Sequence, residues 1–282
     1  MELNKNKSLP IIKTNAYGKI IYVNKPAIAM FKNAMVGNDM TEIISPDILM
    51  KLSMHSKRLD FIDLDLPKHK YAIVKISGNG AMKTMEFFFI TGEYDEKRTP
   101  RIKAMLELYN NKRSFGSAKE INAYESVKYI VDALSERKFS TLGSIVTDLK
   151  NDFSVKMPSF DFEILVLTTI FMLNDIKLMG DITITIDKGT ISFEAKSKKY
   201  TIASNLSELC EAYNFISARA LMLMSMCEER KINYILTHNK NGIKLSYDLT
   251  SIAKTALVLK SSDISREARI ALFIDTLSYF LG

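Results

Sequence analysis

Residues 162–195, FEILVLTTIFMLNDIKLMGDITITIDKGTISFEA, decide the fold. Phe162, Leu165, Val166, Thr169, Leu173 and Ile176 recur at the 3.6-residue spacing of one helix face. Ile164, Leu167, Ile170, Phe171 and Met172 make most of the other face apolar too, so the helix should be buried nearly all round. Gly180 stands where a left-handed C-terminal cap is wanted. Ile182, Ile184 and Ile186 then alternate with Thr183 and Thr185. Asp187-Lys188-Gly189 turns the chain, and Ile191, Phe193 and Ala195 return on the same face. A buried helix feeding a one-faced hairpin predicts the middle of an α/β sandwich.

Working outward, a polar stretch at Lys196–Tyr200 precedes a helix over Leu206–Tyr213. Ser217 reads as the N-cap of a helix over Ala218–Arg230. Ile232, Tyr234 and Leu236, a turn at Asn241-Gly242, and Ile243, Leu245, Tyr247 and Leu249 spell a second hairpin. Beyond it, Ile252–Lys260 and Ser265–Leu281 read as helices. Ile270, Phe273, Ile274 and Leu277 give the last a wide apolar face suited to packing on its own chain or to a partner interface, the first being the commoner case.

Upstream, Asp95–Pro100 is a polar break. Ile102, Met105, Leu106 and Tyr109 mark a short helix after it. A longer helix, Ala118–Lys138, carries a seam of Tyr124, Val127, Val131 and Leu134. That seam suits either a partner helix or packing within one chain. Leu142, Ile145, Val146 and Leu149 predict a further helix over Leu142–Phe153.

The chain of 282 residues is long enough for two domains, and its composition, 47% hydrophobic and 25% charged, is that of a globular protein. No apolar run reaches the ~20 residues of a membrane helix. Met1–Pro10 is lysine-rich and carries no secretory-type apolar stretch. Cys210 and Cys227 lack metal-ligand spacing and read as buried thiols in a reducing compartment. The net charge of +7 lies wholly in residues 1–113, which hold 19 Lys and Arg against 12 Asp and Glu. It is scattered, so a solvated basic surface is the stronger reading and nucleic acid the weaker.

In the N-terminal part, strands over Ile11–Thr14 and Lys19–Val23 flank a turn at Asn15-Ala16-Tyr17-Gly18. Pro26 opens a helix to about Phe31. A second helix over Ile48–Leu59 leads to strands Phe61–Leu66, Lys70–Ser77 and Met82–Thr91, the last two joined at Gly78-Asn79-Gly80. This describes a small antiparallel sheet with helices on one face. Ile11–Ala27, a strand, a Gly turn, a strand ending in Asn24 and then a helix, resembles the opening of a PAS sensor domain. Met35-Val36-Gly37 to Ile43-Ile44 is similar to that family's next segment. The resemblance covers about 85 residues and implies a sensor or dimerisation module with room for a small ligand. His55 shares a stripe with Ile48, Leu52 and Leu59, where a core-edge role is commoner than haem ligation. His69 lies beside lysines in a turn.

The order helix, hairpin, helix, hairpin over residues 160–250, with Leu173-Asn174-Asp175-Ile176-Lys177, resembles the ATP-binding domain of sensor histidine kinases. The resemblance implies that Asn174 sits in the first nucleotide box, whose Asn helps hold Mg²⁺ and phosphate oxygens; Ile176 and Lys177 fit it too. By itself, an Asn near a helix end is more often a packing or capping residue. Three departures weigh against catalysis. Ile170 stands where the family has an acid. Ala195–Tyr200 has neither the Asp nor the glycines of the second box. Ser217-Ala218-Arg219-Ala220-Leu221 has no glycine where the third box brings bare backbone amides to phosphates. No histidine lies between His69 and His238 to accept a phosphoryl group. Arg219 could meet an anion at a helix start, but a solvated arginine is the commoner case.

The expectation is an α+β protein: an N-terminal PAS-like domain (1–95), a helical connector (96–158), a degenerate α/β sandwich of histidine-kinase ATPase type (159–250) and a helical tail (251–282). It would be a non-catalytic, cytoplasmic, bacterial-type signal-transduction protein with a pseudokinase-like domain that binds a protein partner. A small ligand in the PAS-like domain and a homodimer through the connector are open. No metal, no cofactor and no membrane contact are expected, and Asn174 would be a vestige of nucleotide binding. The rivals are an active ATP-binding kinase and a basic nucleic-acid-binding regulator.

Overall fold

Asn15 and Gly18 set the first turn. Gly18 takes a φ of +79°, and the Asn15 side-chain oxygen accepts from the amides of Tyr17 and Lys19, each at 3.0 Å. The turn joins β1 (Ile11–Asn15) to β2 (Ile20–Val23). Asn24 then caps α1 (Lys25–Met30) by accepting from the Ala27 amide at 3.1 Å. The same side chain accepts from the Ile11 amide and donates to the Leu9 carbonyl, pinning the start of β1.

This is a computed structural model. It describes residues 9–53, 57–64, 66, 71–79, 81–89, 99–111, 118–137, 139, 142–175, 181–196, 205–206, 214–239, 242–250, 252 and 265–278. Gly80, His55, His69, Ile176, Lys177, Gly180, residues 197–200, Cys210, the rest of the helix expected over 206–213, Asn241 and the helix expected over 252–260 lie outside the described residues, Leu206 and Ile252 excepted. The chain divides into two units, Met1–Tyr94 and Asp95–Gly282.

In the first unit, α2 (Pro46–Ser53), β3 (Arg58–Asp63), β4 (Tyr71–Gly78) and β5 (Met82–Phe89) follow. The sheet is antiparallel in the order β2-β1-β5-β4-β3. Ile12, Ile20, Val74, Ile76, Met85 and Phe87 form its inner face, and Ala27, Phe31, Met40 and Ile44 close on them. Of the helix expected over Ile48–Leu59, the part to Ser53 is helical. Arg58–Asp63 pairs instead with β4, putting Ile62 opposite Ala72.

The second unit runs α3 (Thr99–Asn110), β6 (Ala118–Asn122), α4 (Ala123–Glu136), β7 (Ile145–Asn151), β8 (Ser154–Pro158) and α5 (Ser159–Asp175). Then come β9 (Ile182–Asp187), β10 (Thr190–Lys196), α6 (Asn214–Arg230), β11 (Asn233–Asn239), β12 (Gly242–Asp248) and α7 (Arg266–Ser278). Its main sheet has the order β11-β12-β10-β9-β7, antiparallel except that β7 lies parallel to β9. Lys188 and Gly189, at φ +44° and +84°, make the tight β9–β10 turn. Helix α5 packs on α6, α7 and β10, giving an α/β sandwich. The molecule is thus mixed α+β.

Residues 96–158 are not all helix. Leu142–Phe153 was expected to be helical, but its central residues form β7 with Ile145 opposite Ile182. Three consecutive β-branched residues, Ile145-Val146-Thr147, restrict χ1 and favour the pleated state once β9 supplies a ladder. The helix expected from Ala118 starts at Ala123, because Asn122 caps it by accepting from the Glu125 amide at 2.8 Å.

Candidate functional site

Helix α5 carries the sequence-derived site. Phe160 through Leu173 are buried on every face, so only its two ends, Ser159 and Asn174–Asp175, are partly open. Asn174 sits there, half-buried, followed by Asp175. Ile170, one turn earlier, is fully buried, an apolar wall where an acid would be needed for chemistry. Thr169 donates to the Leu165 carbonyl at 2.7 Å and accepts from the Tyr247 hydroxyl at 2.8 Å. Burial pushes the Tyr247 phenol well above its ordinary range.

Facing this end of α5 is Arg219 of α6. The sequence suggested a solvated arginine; the structure buries it completely. Its Nη1 lies 2.6 Å from Asp175 Oδ2, its Nη2 donates to the Leu277 carbonyl at 2.6 Å, and its guanidinium stands 5.2 Å from the Phe171 ring centre. Neighbouring Ala218, Ala220, Leu221, Met222 and Leu223 are all buried, which carries Arg219 inside with them. Burial raises the Asp175 carboxyl, and Arg219 opposes that shift. Burial likewise lowers Arg219, and Asp175 opposes it. Desolvation outweighs attraction in both, and a guanidinium stays protonated at neutral pH regardless.

The residues expected at the glycine-rich turn are helix interior. Helix α6 spans Asn214–Arg230 among the described residues, so the amides of Ala218 onward lie beyond its first four and bond to carbonyls one turn earlier. Ala218 to Leu221 therefore have no bare N–H group to offer a phosphate, and Ser217 holds the fourth amide of the helix. Ala195 is buried in β10. Asn174 and the α6 segment are thus brought together at one end of the helical layer, but what joins that end is Asp175–Arg219.

Two further charged clusters were not anticipated. Asp161, 1% exposed, pairs with Arg230. Glu163, 1% exposed, receives both Nε and Nη2 of Arg269, whose Nη2 also donates to Ser159 Oγ at 3.1 Å. Arg266 lies 3.5 Å from Glu163 and over the Tyr129 ring at 4.5 Å. The signal available in the sequence was an acid pair inside an otherwise apolar helix, which needs counter-charges. The α4 seam is spent inside the unit. Val127, Val131 and Leu134 are buried, and α4 packs on α5, α7 and β7. Among the described residues there is no group of three or more potential metal ligands, and no helix is long and apolar enough to cross a membrane.

No protein-family model matches the chain, and no curated protein matches it. Among solved structures it is similar to the Erythrobacter litoralis EL346 blue-light activated histidine kinase, at 10% identity over 87% of this chain and 100% of that one, with a TM-score of 0.37. It is similar to histidine kinase ThkA in complex with response regulator protein TrrA, at 11% identity over 85% and 95%, with a TM-score of 0.35. A third is the cytoplasmic segment of histidine kinase QseC, at 7% identity over 56% and 96%, with a TM-score of 0.37. Each is a distant likeness, and the functional reading rests on this chain's own residues.

Proposed function

We propose that the chain is a non-catalytic signal-transduction protein in which a PAS-like sensor domain is joined to a histidine-kinase-like ATPase fold that binds a protein partner. One observation carries the reading. Ala218 to Leu221, which would have to present bare amides to a triphosphate, lie beyond the first four amides of α6, and Arg219 among them is buried against Asp175 beside Asn174. On this reading Asn174 is the remnant of the first nucleotide box, and neither nucleotide nor metal is needed for function. The sheet order β2-β1-β5-β4-β3, with the helices inserted between β2 and β3, supports the PAS-like assignment of residues 1–95. The stretch 96–158, expected as a connector, contributes β7 to the main sheet of the second unit, so the kinase-like part on this reading takes in β7 and α4 together with 159–250, and 251–282 is its tail. A small ligand in the first domain would bias its conformation, and the second would report it to the partner. A homodimer through α4 would have to give up the packing of Val127, Val131 and Leu134, so the partner surface lies elsewhere.

The test is a phosphorylation assay with γ-labelled ATP and Mg²⁺ on the full chain. The expected result is no label on the protein. Incorporation of acid-labile label, abolished by Asn174→Ala, would overturn the reading in favour of an active kinase.

A further inference from the structure

Arg219 lies where two helix ends converge. Asp175 is the last residue of α5, and Leu277 is in the last turn of α7. Carbonyls in a last turn have no helical partner and carry the negative end of the helix dipole. A planar guanidinium can serve two acceptors at once. Arg219 does so from a third helix, taking the Asp175 carboxylate with Nη1 and the Leu277 carbonyl with Nη2. Leu277 is fully buried, so no solvent competes for that contact.

We infer that Arg219 is a lock that couples the seating of the C-terminal helix α7 to the end of α5 where Asn174 lies. Without it, two negative helix ends and a carboxylate face one another in a buried site, and both ends loosen together. With it, displacement of α7 is felt at Asp175 and Asn174, and release of Asp175 is felt at Leu277. The second anchor of α7, Arg269 on Glu163 and Ser159, holds the other end of α5 and leaves the lock local. The inference rests on the non-catalytic reading above: it names what ties the Asn174 end of α5 to α6 and α7.

Hydrogen exchange of the full chain, read by mass spectrometry, tests the coupling. In Arg219→Met, peptides covering 170–175 and 272–278 should both exchange about tenfold faster or more, while β4 and β5 keep wild-type rates. Asp175→Asn should do the same to a smaller extent. Arg269→Met should loosen the start of α7 and leave 170–175 as in the wild type. If Arg219→Met fails to fold, Arg219→Lys carries the test, since it keeps the charge but cannot hold both acceptors in one plane; the same two peptides should accelerate together. Acceleration of only one peptide, of neither, or of 170–175 equally in Arg269→Met would overturn the lock. Nucleotide binding by the wild-type chain would overturn the non-catalytic reading and leave these exchange outcomes unaffected, so the two failures are separable.

Discussion

Arg269 meets Glu163 through two parallel hydrogen bonds, Nε to Oε2 at 2.8 Å and Nη2 to Oε1 at 2.9 Å. Glu163 is 1% exposed, so the pair stands or falls together. Removing Arg269 leaves the buried Glu163 with the more distant Arg266, at 3.5 Å, as counter-charge, whereas replacing both Glu163 and Arg269 with apolar side chains removes the desolvation cost as well. Arg269→Leu should therefore destabilise by about 3–5 kcal/mol. The Glu163→Leu, Arg269→Leu double variant should lose much less than the sum of the single variants. Urea unfolding followed by circular dichroism gives both numbers, and additivity would show that the pair is not coupled.

Asp152 makes a pH-dependent tie between the β7–β8 turn and the start of α4. Partial burial raises its carboxyl, but hydrogen bonds from the Asn122 side chain and the Phe153 and Tyr124 amides outweigh that and hold it below the ordinary range. A lowered folded value contributes stability that is present above the unfolded carboxylate pKa of about 3.9 and lost as pH falls through the folded value. Melting temperature measured from pH 6 to pH 2 should fall less steeply for Asp152→Asn than for the wild type. Parallel acid limbs would remove Asp152 from the account.

Cys227 is buried in α6, and burial, helped by the nearby Glu228 carboxylate, pushes its thiol up to about 12. The reactive species is the thiolate, so at pH 8 almost none is present. The Cys227 peptide should stay unmodified by iodoacetamide in native protein at pH 8 and react fully in urea. Rapid native labelling would mean that α6 opens far more readily than its packing implies.

The helix and hairpin at residues 162–195 were legible because each has a single period and the turn residues agree with it. Strand β7 was not. Leu142, Ile145, Val146 and Leu149 satisfy a helical spacing, and the ladder that selects the strand comes from β9, which follows only after a whole helix. The start of α4 was written in Asn122-x-x-Glu125, a capping signal that the apolar seam obscured. Arg219 was misread for a different reason. Local sequence shows an arginine near a helix start, but its partners, Asp175 and the Leu277 carbonyl, belong to two other helices. Charge pairing inside a core is a property of the assembled layers. The one local hint was the set of small and apolar neighbours on both sides of Arg219.

The proposed loss of nucleotide binding at the Asn174 end of α5 is tested most directly by titration calorimetry with millimolar Mg-ATP on the full chain. The account predicts only heats of dilution, the same for the wild type and Asn174→Ala. A saturable binding curve that Asn174→Ala abolishes would contradict it.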